Sequence, residues 1–146
     1  MKKLISSLLV VGAMIASPVF ASLDEDSATV SMNVALYAAI TGLDDFVLTT
    51  DAVSGAAGAV YSGSDSYNLE SNGQVRVSLS GINLSNGVDS VPTTYALDGA
   101  GVSYDTTVAV VHNASHTVSA EATLGDISTQ KAGAYSSVIT LTVAAL

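Results

Sequence analysis

"YSSVITLTVAA", residues 135–145, is the stretch on which the fold turns. Two rows separate along it: Ile139, Leu141, Val143 and Ala145 on one side, Val138, Thr140, Thr142 and Ala144 on the other. Successive side chains of a strand point to opposite faces, so this alternation predicts a β-strand with one row turned toward a core. Val, Ile and Thr also suit a pleated, half-buried surface.

The same period recurs through the chain. "QVRVSLSGI", residues 74–82, sets Val75, Val77 and Leu79 against Arg76, Ser78 and Ser80. "HTVSAEATL", residues 116–124, repeats it with Val118, Ala120, Ala122 and Leu124. Near the front, "SATVSMNVALYAA", residues 27–39, alternates Ala28, Val30, Met32, Val34 and Leu36 with Thr29, Ser31, Asn33 and Ala35. Segments near 46–49, 66–70, 94–97, 101–104 and 107–111 read as shorter strands.

Turn signals fall between these runs at Gly42-Leu43-Asp44-Asp45, Asn72-Gly73, Asn86-Gly87 and Asp98-Gly99. Asn-Gly and Asp-Gly accept the left-handed backbone angles of tight turns. Residues 51–66, "DAVSGAAGAVYSGSDS", are rich in small side chains and read as a mobile loop or loosely held edge. Many short strands, no helical period and no internal repeat predict an all-β sandwich.

The first residues read as an address rather than a fold. Lys2 and Lys3 precede the apolar run "LISSLLVVGAMIA", and "VFA" ends at Ala21 with small residues where a signal peptidase cuts. A signal peptide over 1–21 is expected, with cleavage before Ser22 and one domain following. Cleavage leaves Arg76 and Lys131 as the basic residues against all 13 acidic ones. So acidic a chain has no electrostatic means of holding nucleic acid or an anionic bilayer. The chain has no cysteine, which excludes disulfides, thiol catalysis and cysteine-held metals.

Candidates for chemistry are sparse. His112 and His116 stand four apart, a chelating interval on a helix, but Asn113-Ala114-Ser115 between them reads as a turn joining two strands. Asp24-Glu25-Asp26 and Asp44-Asp45 lack the calcium-loop pattern and read as solvated termini and turns. No G-x-S-x-G and no G-K-[ST] is present. The tyrosines at 37, 61, 67, 95, 104 and 135 offer faces for sugars, or rings packed at the core edge with wet hydroxyls. The sequons at Asn83 and Asn113 carry little weight behind so short a signal. These readings predict no enzyme, no cofactor and no metal.

The two ends, taken together, carry a resemblance. "QKAGAYSSVITLTVAAL" resembles the C-terminal strand of pilins of the chaperone–usher pathway, which commonly reads A-G-x-Y-S before an alternating strand. "ATVSMNVALYAAITGLDDFVLTT" resembles the N-terminus of the cysteine-free, colonisation-factor type of fimbrial major subunit, where an alternating extension runs into the first strand. Other pilins of the pathway carry a tyrosine next to the C-terminus, where Ala145 stands here, and a disulfide, which is absent.

The resemblance implies an immunoglobulin-like β-sandwich over 38–146 that lacks its last strand, preceded by a donor extension over 22–37. It implies that Ala28, Val30, Met32, Val34 and Leu36 enter the groove of a neighbouring copy, which is strand addition to a sheet edge. Ile139, Leu141, Val143 and Leu146 would form the groove wall and meet a periplasmic chaperone first. The implied partners are other copies of the chain, that chaperone, an outer-membrane usher and a tip adhesin, with no nucleic acid. The implied location is the cell surface, reached through the periplasm. A self-contained secreted sandwich that binds a carbohydrate or surface ligand, with 28–36 paired in its own sheet, is the alternative reading. A tip adhesin is the third, and Ser22–Leu146 is short for the two domains it would need.

Overall fold

A computed structural model describes residues 26–107 and 110–146, so the expected signal peptide lies outside the described residues. All the strand pairings are antiparallel, and the described residues contain no α-helix, only a 3-10 turn at Ile127–Thr129. The protein is all-β.

In chain order the strands are β1 (Ala38–Thr41), β2 (Val60–Ser71), β3 (Val75–Gly81), β4 (Leu84–Ser85), β5 (Ser90–Val91), β6 (Thr93–Leu97), β7 (Ser103–Asp105), β8 (His112–Thr123) and β9 (Ile139–Ala145). They form a four-stranded sheet, β1-β2-β8-β6, a three-stranded sheet, β7-β3-β9, and the small pair β4-β5. All belong to a unit running from Val34 to Leu146, distinct from residues before it.

The two larger sheets share one core. The first contributes Tyr67, Leu69, Leu97 and Val118, and the second Val75, Val77 and Leu79. Every one is an inward row of an alternating run, and burying such side chains stabilises the fold by about 1.5–3 kcal/mol each. Arg76 sits on the opposite row, exposed, where its guanidinium forks onto Asp105 of β7 at 2.6 and 2.8 Å.

Four sequence expectations need correction. Residues 112–116 form no turn: β8 runs unbroken from His112 to Thr123, in register with β2 from Ser71↔His112 to Val60↔Thr123. Asn113 and Ser115 are turn formers that sit on an exposed row, and Asn113 Oδ1 accepts a hydrogen bond from Asn68 Nδ2 at 3.1 Å. The expected loop over 51–66 ends early, because β2 already begins at Val60. Ladder pairing with β8 holds those small residues extended, whatever their weak packing. The predicted strand at 46–49 reduces to a bridge between Thr49 and Ser62. At 107–111, Thr107, Val110 and Val111 lie in no strand, and 108–109 are outside the described residues.

Candidate functional site

β9 is the last strand of its sheet and pairs only with β3, from Gly81↔Ile139 to Val75↔Ala145. Its other edge carries a row of backbone N–H and C=O groups with no strand hydrogen-bonded to it, the usual template for pairing with further chain. Its inward row, Ile139, Leu141 and Val143, packs on the core yet stays half-buried, whereas the facing Val77 and Leu79 of β3 are buried. Leu146 continues the strand: its N–H donates to Gln74 O at 3.4 Å, and its side chain is exposed. β1, an edge strand of the other sheet, lies next to β9.

An open groove of ≈ 1410 Å³ lies at the Ile139 end of β9; of the expected groove wall only Ile139 lines it, and Leu141, Val143 and Leu146 do not. Its existence follows from side-chain size. Where β2 and β8 carry Tyr67, Leu69 and Val118 the space is filled. Toward the other end of β8 the inward row becomes Ala120 and Ala122, and the lining recedes; Gly63, opposite Ala120, is covered by Val47 and Leu48 instead. Leu48, Phe46, Tyr95 and Ile139 line the walls. The segment leading into β9 is pinned at the groove's margin: Ser85 and Ser136 exchange backbone bonds at 3.0 Å, and Ser137 Oγ donates to Ile82 O at 2.8 Å.

The N-terminal row has a different fate. Residues 26–37 lie in no strand, so the half-buried strand read from 28–36 is not formed in this chain. Ala28 is exposed, and Val30, Met32 and Val34 are 95%, 87% and 68% exposed. Leu36 differs at 47%: a Cβ placed on Gly73 would lie 2.7 Å from its Cδ1, so the leucine rests against that glycine. Beside it Asn72 grips the chain from both sides. Its Oδ1 accepts from Tyr37 N at 2.8 Å, its Nδ2 donates to Ala35 O at 2.9 Å, and its own N–H donates to Tyr37 O at 3.1 Å.

At the filled end of the sheet, His116 stacks between Tyr67 and Tyr104, with ring centroids 5.6 and 4.9 Å away. Its Nδ1 donates to Asp98 Oδ2 at 2.7 Å, while Asp98 Oδ1 accepts from Thr117 N at 2.8 Å. Burial alone would raise the Asp98 pKa, but the bonds from His116 and Thr117 outweigh it and hold the carboxylate below its ordinary value. Burial pushes both tyrosine hydroxyls up, although the bond to Tyr104, 3.2 Å away, opposes the shift at Tyr67. Asp98 and Gly99 both take positive φ, 48° and 72°, the tight turn that Asp-Gly announces. This histidine is therefore a strand residue with a structural bond, not a turn residue.

The tyrosines mostly act as struts. Tyr95 hydroxyl donates to Ile82 O at 2.7 Å, Tyr135 to Lys131 O at 2.9 Å, and Tyr61 accepts from Gly55 N at 2.9 Å. Among the described residues no cluster of three or more metal-ligating side chains occurs. No helix among them is long and apolar enough to cross a membrane. No model of a known protein family matches this chain, and no curated protein matches it.

Sequence reasoning named both apolar rows but missed the groove floor and Asn72. Ala120 and Ala122 carried a usable signal, since small inward residues beside the larger Val118 leave room. Asn72-Gly73 gave none beyond a turn.

Proposed function

We propose that the chain is a structural fibre subunit, a pilin-type immunoglobulin-like β-sandwich short of one strand, which polymerises by donating its N-terminal row to the next copy. One observation supports this reading above the others. The same molecule holds an alternating apolar row in water at Val30, Met32 and Val34, and an unpaired strand edge at β9 whose Ile139 end opens onto a largely apolar groove. Exposed apolar surface of this kind marks a binding face. Donation would satisfy both at once: main-chain bonds to the edge of β9, and alternate side chains into the groove. Three such side chains contribute roughly 1.5–3 kcal/mol each before ordering costs, enough to favour strand transfer without external fuel. A periplasmic chaperone would cover the groove before assembly, and an usher would pass the subunit to the surface.

Val34→Asp tests the reading. A charge placed in an apolar groove is costly, so the variant should fail to polymerise alone yet still accept a strand from wild type. Thr29→Asp, on the opposite row, should polymerise normally. Fibre length by electron microscopy and sedimentation decides it; equal behaviour of the two variants removes the proposed facing.

A further inference from the structure

Resting on that reading, we infer that the transferable strand ends at Val34, and that Leu36 stays with its own domain as part of a clamp built around Asn72. The alternation makes Leu36 a fifth equivalent member of the row after Val34, but its surroundings are not equivalent. Ala35 O and both backbone groups of Tyr37 are held by Asn72, through one main-chain and two side-chain hydrogen bonds. An asparagine amide can do this because it presents an acceptor and a donor side by side, as a neighbouring strand would. The Asn72 side chain thus lends β2 an additional rung and keeps 35–37 extended ahead of β1.

The packing agrees with the hydrogen bonds. Leu36 Cδ1 occupies the space that a side chain at position 73 would need. Gly73 is not among the glycines with positive φ, and the one atom a side chain there would meet is Leu36 Cδ1, which it would displace from this seat. Sending Leu36 into another copy would empty this site and break the bonds that flank it. Val34, one residue before the clamp, has no such tie and is 68% exposed. Asn72 is therefore a positioning residue: it fixes where the domain ends and the donated segment begins.

The test compares Leu36→Ser, Met32→Ser and Gly73→Ala in the chain starting at Ser22, the expected product of signal cleavage. Two readouts are taken: hydrogen exchange of the Tyr37 amide in the monomer, and fibre assembly by sedimentation. Leu36→Ser and Gly73→Ala should speed Tyr37 exchange about fivefold or more while fibres still form. Met32→Ser should leave Tyr37 exchange unchanged and abolish fibres. Loss of assembly in Leu36→Ser, to the degree seen with Met32→Ser, overturns the inference. If neither Leu36→Ser nor Met32→Ser affects assembly, strand donation itself fails. Tyr37 exchange then still decides the clamp: unchanged rates in Leu36→Ser and Gly73→Ala overturn it, and faster ones uphold it.

Discussion

Residues 28–36 and 139–145 carry the same two-residue period, and only the second segment is a strand. β9 has β3 alongside it, residue for residue from Gly81↔Ile139 to Val75↔Ala145. The described residues of the N-terminal row have no ladder partner, and Val30 and Met32 stand almost wholly in water. Alternation is thus a request for a partner, not a structure in itself. A strand's backbone groups and its apolar row are both satisfied only when another strand and a second layer are present.

The sharpest way to break this comparison is to make the same kind of cut on both sides. Leu79, buried opposite Leu141, should cost about 2–4 kcal/mol when changed to Ala, read by chemical denaturation of the monomer. Met32→Ala should leave monomer stability within about 0.5 kcal/mol, since an exposed side chain has no folded contacts to lose. A large loss for Met32→Ala in dilute monomer would mean that the row is paired within its own chain.

A smaller effect sharpens the reading of β9. Leu141→Ala should cost about 1–2 kcal/mol in the monomer, less than Leu79→Ala, because the site is only half-buried. Its cost should grow in the fibre, where a donated strand would cover it. Denaturation of monomer and fibre side by side measures the difference; equal costs in both would argue against coverage of that row.

The smallest effect lies at the filled end, away from both segments. Asp98 is ionised more readily in the folded protein than in the unfolded chain. Its contribution is therefore present above the unfolded carboxylate pKa, about 3.9, and is lost as pH falls through the lower folded value. Asp98→Asn should remove that acid-sensitive component and flatten the stability profile in the low-pH limb, with a modest effect at neutral pH because the side chain is 44% exposed.

Much of the architecture was legible because strands whose two faces differ in environment announce themselves. Val75, Val77, Leu79 and Val118 read as core and are buried. Errors came where local chemistry and tertiary pairing pull in opposite directions. Asn113-Ala114-Ser115 has turn formers held straight by Glu70, Leu69 and Asn68 of β2, partners more than forty residues away in sequence. The start of β2 looked like a loop because small, polar side chains carry little strand propensity, although the ladder needs only their backbones. Of the candidate site, both apolar rows were readable from period alone. The groove was not, since it depends on which residues of two strands lie opposite each other. Asn72 was hidden most completely: a side chain that completes a backbone ladder leaves no pattern in the sequence.

β9 is the longest of the four edge strands of the two larger sheets, seven residues against three to five for β1, β6 and β7. On the proposed reading each molecule therefore offers one long receptive edge and one donor segment. In polymer terms it is a monomer with one head and one tail, so growth adds links in a single line and cannot branch. A copy whose donor row is disabled still fills a tail and then stops the chain, and its mole fraction in a mixture would set the mean length of the fibres.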